Sequence, residues 1–436
     1  MFFYGRVSMD RDLVTIIIPT YNMEHFLHDN IKSIINQTYR NLEIIYVCDG
    51  CTDHSVEILQ QYADLDSRII VQIESENRGA AMARNIGMER AKGEWLIFSD
   101  ADDIYESCAI DEMMEAAQNE KADLICGYWE YFNDVPSKES AINNWLKKLY
   151  CGTYPVINTK REVCHLMQLV ENSPCIKLIH RSLYTRNEVF FPDIPNAEDV
   201  YFSRVVALNS YKIVYIDKIL YHYRSNKDRL TLTTVGDLKR NYILEALDKV
   251  YEYIKCREDS VHLLSSFYND IFMNLNVYLD SPVYDALVDK LRDIYFDKWK
   301  ISEHAIMEQL CCVNRVIYKN VLSNNKSINK QDIYMQAKVE FVKVLSHRGC
   351  SVWGTGEKGR ALLKIISKTD IKIQHVFDSA ADKWGKKIYG YLIENFDEVQ
   401  ADHIIITTPG FYDEIVKLIG KRANNVYNLE NQIWLI

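Results

Sequence analysis

Glycine stops at Gly236 and does not reappear until Gly349, and across that interval the only proline is Pro282. These two residues punctuate chains, so a long stretch nearly free of both, with apolar residues at Leu244, Leu247, Val250, Tyr251 and Ile254, predicts helices. The flanking regions read differently. Before the interval, apolar β-branched runs at 14–18, 42–47, 68–73 and 95–99 alternate with helical patterns. Runs that are continuous rather than alternating mark strands buried on both faces, as in α/β sheets with helices on either side. After the interval the alternation resumes, with strands at 351–353, 373–377 and 403–407 and helices at 358–367 and 412–420. Three parts are therefore predicted: an α/β domain over 1–235, a helical segment over 236–335, and a small α/β domain over 336–436. The polar stretch 323–330 is the expected hinge. The 436 residues are ample for such a division.

Charge excludes some partners. There are 51 Lys and Arg against 61 Asp and Glu, a net charge of −10, which argues against broad adhesion to nucleic acid or anionic lipid. No apolar run approaches the ~20 residues that span a bilayer, and the opening Met1-Phe2-Phe3-Tyr4 is interrupted by Gly5-Arg6. A cytoplasmic protein is expected, with at most peripheral association at the inner face of a membrane. The eleven cysteines are scattered, as for reduced thiols. Cys48 and Cys51 have metal-type or redox-type spacing, but no second pair or well-placed histidine supports zinc or dithiol chemistry there.

The chemistry-bearing residues of the first region stand at strand ends, where open α/β sheets bind ligands. The first strand runs into Pro19-Thr20-Tyr21-Asn22. The second ends in Asp49-Gly50-Cys51-Thr52-Asp53, where Thr52 or Asp53 could cap the next helix, whereas Asp49 has no such local reason. The next apolar strand ends in Asp100-Ala101-Asp102-Asp103. If that strand continues, Asp100 and Asp102 share a side, a repulsive arrangement that a hard divalent cation would relieve. A helix cap needs only one of the three. Upstream, Arg84 lies in a helix of small residues, Gly79 to Gly87, where its guanidinium could fork onto a diphosphate or form a structural salt bridge.

In order and spacing these four segments resemble the family 2 glycosyltransferases, whose fold is called GT-A, over roughly residues 12–230. The resemblance implies a GT-A nucleotide-diphospho-sugar transferase domain with a mixed, mainly parallel sheet. It implies that Pro19, Thr20, Tyr21 and Asn22 line a nucleotide pocket, that Asp49 accepts a hydrogen bond from the base, and that Asp100 and Asp102 reach ribose and a Mn2+ or Mg2+ ion, with Asp103 as an alternative metal ligand. Cys48 and Cys51 then become substitutions within a nucleotide-binding turn. Glu198-Asp199 resembles the family's acidic pair, which implies Asp199 as general base; on its own the pair also suits a helix N-terminus. The segment around Lys177 resembles the acceptor side, with Cys175 where an aromatic is common. Tyr221-His222-Tyr223-Arg224 resembles a closing motif in which His222 or Arg224 reaches metal or diphosphate; read without the resemblance, it is an edge strand with alternating aromatics. The implied activity is inverting transfer from a nucleoside-diphosphate sugar, UDP foremost, to a hydroxyl of a cell-surface glycan or its lipid-linked precursor. A nucleotidyltransferase, a bifunctional protein with an NAD-dependent sugar-modifying end, and a non-catalytic sugar-nucleotide scaffold are the competing readings, and homo-oligomerisation is left open.

At the other end, Gly354, Gly356 and Gly359 form a G-x-G-x-x-G pattern after a strand and before a helix, with Asp378 at the end of the next strand. That context suits a diphosphate-binding, Rossmann-like α/β domain. Its shortness leaves room for one half of a doubly wound sheet, which disfavours NAD and leaves packing, oligomerisation or targeting as alternative roles.

Overall fold

The computed structural model describes residues 12–132, 156–158, 167, 170–186, 188–224, 242–257, 260–301, 307, 310–325, 328–399, 401–420 and 423–433. The chain divides into two compact units, Met1–Phe267 and Tyr268–Ile436, a boundary inside the glycine-free interval.

In the first unit, strands β1 (Val14–Thr20), β2 (Leu42–Asp49), β3 (Ile69–Glu74) and β4 (Trp95–Phe98) alternate with helices α1 (Leu27–Ile35), α2 (Ser55–Leu65) and α3 (Ala80–Arg90). Then follow β5 (Ile104–Tyr105), α4 (Ala109–Glu120), β6 (Leu124–Phe132), β7 (Val156–Asn158), β8 (Lys177–His180), α5 (Glu198–Asn209), β9 (Lys212–Arg224) and α6 (Ile243–Lys255). Among the described residues the strands form one sheet in the order β3-β2-β1-β4-β8-β6-β9-β5, with β7 against β9. The four strands from β3 to β4 are parallel, β8 runs antiparallel to both neighbours, and β6 and β9 are parallel. The sheet is thus mixed and mainly parallel, as expected. Every residue of β2 is buried, which a strand covered on both faces requires.

Helix α3 lies unusually close to this sheet. A Cβ on Gly87 would meet Ile17 of β1 at 2.4 Å, so only glycine lets the backbones approach so far, and Arg84 is carried in beneath the strand ends.

The second unit holds β10 (Cys350–Trp353), β11 (Ile373–Phe377), β12 (Lys387–Ile388), β13 (Tyr391–Glu394), β14 (His403–Ile406) and β15 (Asn425–Asn428), ordered β12-β13-β11-β10-β14-β15. All but β12 are parallel. Strands therefore extend to both sides of β10. This corrects the expectation of half a doubly wound sheet: strands of four or five residues fit five parallel strands into a short segment. The stretch 323–330 joins helices α7 (Cys312–Leu322) and α8 (Lys330–Ser346) inside this unit, where Lys319 and Glu340 pair at 2.5 Å and Asn329 caps α8 through Asp332 N–H. The boundary between the two units falls earlier, at Phe267/Tyr268, and residues 326 and 327 of the expected hinge lie outside the described residues.

Candidate active site

A cleft of about 600 Å3 opens at the carboxyl ends of β1, β2 and β4. Pro19, Thr20 and Tyr21 line it from β1, Asp49 from β2, and Asp100, Ala101 and Asp102 from the turn after β4. Glu198 and the loop residues Asp193, Ile194 and Pro195 close the far wall. Asn22 is not in the lining. It adopts a left-handed backbone, φ 53°, and its Oδ1 accepts Thr52 N–H at 2.8 Å, tying the β1 turn to the β2 turn.

Asp49 is buried, and its oxygens accept the backbone N–H groups of Arg78 (2.9 Å) and Gly79 (2.8 Å). The carboxylate therefore has a local structural reason that was not legible in its own segment: it anchors the turn entering α3, where Gly79 has φ 90°. One lone pair on each oxygen is still open for a ligand donor.

The acidic turn departs from simple strand alternation, because β4 ends at Phe98 and the chain then turns back, Asp103 N–H donating to Asp100 O at 3.2 Å. Asp100 and Asp102 still face the cleft. Asp103 does not. Pairing of β5 with β9 draws it under the sheet, where it is 2% exposed and accepts Arg224 N–H (2.7 Å) and the Tyr221 hydroxyl (2.9 Å). Burial, with Asp102 and Asp100 adding to it, pushes its carboxyl well above the usual range. Asp103 is thus held beneath the turn, outside the lining of the cleft.

Arg84 joins the two acidic motifs. Its Nη2 donates to Asp100 Oδ1 at 3.0 Å and its Nη1 to Glu198 Oε1 at 2.7 Å, while the guanidinium lies 5.3 Å from the centre of the Phe191 ring. Burial favours the neutral form, but Asp100 and Glu198 outweigh it and hold the group charged. Of the two readings open for Arg84, the geometry favours the ion pair. Glu198 and Asp199 begin α5 directly after Ala197, whose backbone is left-handed at φ 62°. Asp199 lies half-buried beside Glu198, with Arg84 and Lys177 near. Burial first, then the charge of Glu198, raises its carboxyl to about 6.

Asp199, unlike Glu198, is not in the lining of the cleft, and the remaining expected residues also lie off it. Lys177 is buried with Nζ donating to the carbonyls of Glu171 and Ser173, and burial lowers its ammonium to about 8. His222 sits between Glu106 (2.7 Å) and Glu130 (3.1 Å), partners supplied by β9's neighbours, outside the lining of the cleft. Arg224 donates through Nε to Asp102 O at 2.7 Å and through Nη2 to Asp29 at 3.0 Å, stacked over Phe26 and Phe132; it braces the acidic turn from behind. Among the described residues no three His, Cys, Asp or Glu side chains converge as a metal cage. Asp100 and Asp102 suit instead a hard cation that takes one or two carboxylates and completes its shell with substrate phosphates.

Three residues that shape the cleft were given no role of their own in the sequence reading, although Tyr221 belongs to the motif singled out there. Asn30, buried on α1, donates through Nδ2 to the carbonyls of Asp103 (2.8 Å) and Asp100 (3.0 Å), and accepts from Tyr46. Tyr221 accepts Asp100 N–H at 2.9 Å. Asn85 exchanges two 2.8 Å bonds with the backbone of Phe191, fixing the loop that forms the far wall. A polar residue among the apolar positions of α1 was the one available signal.

In the second unit, Gly354 (φ 110°) and Gly359 have packing reasons: a Cβ on Gly359 would stand 1.9 Å from Gly354 O. Gly356 meets nothing nearer than Thr408 at 4.0 Å. Asp378 is engaged by Thr355 N–H (2.9 Å), the Thr355 hydroxyl and Lys383 (2.9 Å), which together with its other hydrogen bonds hold it below the usual carboxylate range against burial.

The family model described as Glycosyl transferase family 2 matches residues 15–186, and one described as C2185-like, N-terminal, matches 346–428. The glycosyltransferase GlyA of Streptococcus pneumoniae is 32% identical over 50% of this chain and 32% of its own length. The uncharacterized glycosyltransferase EpsJ of Bacillus subtilis is 33% identical over 50% of this chain and 63% of its own. The chain thus spans less than two thirds of these two relatives. It covers 74% of the glycosyltransferase GlyG of S. pneumoniae, at 30% identity over 51% of its own length. Among solved structures, S. aureus TarS 1-349 in complex with UDP-GlcNAc superposes with a TM-score of 0.55 at 17% identity, over 75% of this chain and 91% of that one, a likeness of fold. No helix among the described residues is long and apolar enough to cross a membrane.

Proposed function

The chain belongs to the family 2 glycosyltransferases, and from that premise we propose that it transfers a sugar from a nucleoside diphosphate, UDP foremost, to a hydroxyl of a glycan or lipid-linked acceptor, with inversion. The observation that carries this reading is the Arg84 bridge, which holds Asp100 of the acidic turn and Glu198 of the acidic pair against one cleft. Support for UDP comes from the TarS complex with UDP-GlcNAc, whose fold this chain shares.

In this reading Thr20, Tyr21 and Asp49 receive the nucleoside, with Asp49 using its open lone pairs. Asp102, with Asp100, would hold a divalent cation. When bound, that cation neutralises charge developing on the departing diphosphate. Asp199 takes the proton of the attacking acceptor hydroxyl, a task suited to a carboxyl raised to about 6, since a base poised near the working pH accepts protons best while remaining mostly ionised. Glu198, tied to Arg84, keeps negative charge beside Asp199 and so helps to set that basicity.

The test is a thermal-shift screen of UDP-, GDP-, CMP- and dTDP-sugars with and without Mn2+ on the whole chain, followed by nucleotide release. Metal-dependent stabilisation by a UDP-sugar, weakened in Asp102→Ala, is expected. If no sugar nucleotide shifts the melting curve, the reading fails.

A further inference from the structure

A second cleft, of about 550 Å3, opens on the other side of the first unit, where Trp95 begins β4, Asp123 precedes β6 and His180 ends the antiparallel β8. The nucleotide-side cleft lies at the carboxyl ends of the parallel strands and this one at the amino ends, so the body of the sheet separates them.

Its charge is unusual for an acidic chain. Lys121 and Arg186 both line it, both are exposed, and neither has an ion-pair partner among the described residues. The acids nearby are hydrogen-bonded or ion-paired; Asp123, itself in the lining, is held by neutral donors. Asp123 is buried and accepts the Ser210 hydroxyl (2.6 Å) and the N–H groups of Tyr211 and Lys212. Glu94 pairs with His180 at 3.0 Å and Glu120 with Lys212 at 2.9 Å.

Lys121 is also held in a costly conformation. It ends α4 with φ 50°, the left-handed position where glycine is free of strain, and its carbonyl is pinned by the Tyr211 hydroxyl at 2.5 Å. The Tyr211 ring itself is 56% exposed at the cleft. Two unneutralised cations, one of them a fork suited to oxyanions, beside an exposed aromatic face make the chemistry of an acidic sugar. The volume falls within the range of small-ligand clefts.

We propose that this cleft is a separate anion-binding subsite for a phosphorylated or carboxylated sugar unit, with the acid group on Lys121 and Arg186 and the sugar ring against Tyr211. The proposal does not depend on the transfer reading, because it uses none of that site's residues.

The experiment is a thermal-shift and calorimetric titration of the whole chain with glucose 6-phosphate, glucuronate and glucose, each repeated with UDP and Mn2+ at saturation. Expected is binding by one or both acidic sugars but not by glucose, unchanged by UDP; which of the two binds identifies the acid group. Lys121→Gly/Arg186→Gln should weaken that binding roughly tenfold or more, with Lys121→Gly alone melting no lower than wild type because glycine suits φ 50°. The proposal is overturned if neither acidic sugar binds, if UDP displaces the bound sugar, or if the double variant binds as tightly as wild type. A loss of UDP binding in Asp102→Ala with the acidic-sugar titration intact would keep the two sites distinct.

Discussion

Replacing Asp199 by Asn should raise stability and abolish transfer at the same time. Burial and the neighbouring Glu198 lift this carboxyl from 3.8 to about 6, a shift of roughly 2 units or about 3 kcal/mol at most. Because the folded-state value is raised, the folded chain holds its proton more tightly than the unfolded chain between pH 3.8 and about 6. Stability therefore falls as pH rises through that window, and the full penalty stands above pH 6. Asn is neutral at every pH, and its Oδ1 can still accept the 2.9 Å bond from Val200 N–H. Allowing for partial solvent access, Asp199→Asn should gain about 2 kcal/mol at pH 7.5, or roughly 4–8 °C in Tm, and about half of that at pH 5. Transfer should fall by about 10²–10⁴ with UDP binding retained, and the wild-type rate should drop on the acid side as pH falls through about 6. Melting curves at the two pH values, with rates measured on the same samples, decide it. A Tm at pH 7.5 equal to or below wild type would refute the burial argument, and full activity in Asp199→Asn would refute its assignment as base.

Arg84→Met removes the cation from between Asp100 and Glu198; with Arg84 buried but Asp100 partly exposed, a loss of about 3 kcal/mol is expected, and adding Glu198→Gln should restore part of it, as a double-mutant cycle by denaturant titration will read. Ala197→Gly relieves the left-handed backbone before α5 and should stabilise by about 0.5–1 kcal/mol, visible as a higher Tm. In the second unit, Gly359→Ala should destabilise because its methyl would fall 1.9 Å from Gly354 O, whereas Gly356→Ala, with 4.0 Å of clearance, should melt as wild type does.

How much of this was legible beforehand depends on the range of the interaction involved. Buried parallel strands announce themselves locally, since the continuous apolar run of β1 needs cover on both faces whatever follows it. The placement of Asp100 and Asp102 at a strand end was likewise readable, because strand, turn and acids are contiguous. The C-terminal sheet was underestimated for the opposite reason: a strand of four residues such as β13 or β15 carries little periodic signal, and only its register against β11 or β14 reveals it.

The division of labour among the three acids of the turn illustrates the limit most sharply. On sequence the resemblance points to Asp102 for a cation, with Asp103, adjacent and following the same strand, as the alternative. What separates them is the two-residue strand β5, which pairs Ile104 with His222 across nearly half of the first unit's sequence and delivers Tyr221 and Arg224 N–H to Asp103. Once those donors and the burial they bring are in place, Asp103 is satisfied beneath the sheet, and facing the cleft would cost it both hydrogen bonds. Asp102 contributes its backbone carbonyl to Arg224 and remains in the cleft lining. The same motif, Tyr221 to Arg224, that was read as reaching directly for metal or diphosphate therefore acts one layer behind: it selects which carboxylate of the turn is left to meet a ligand.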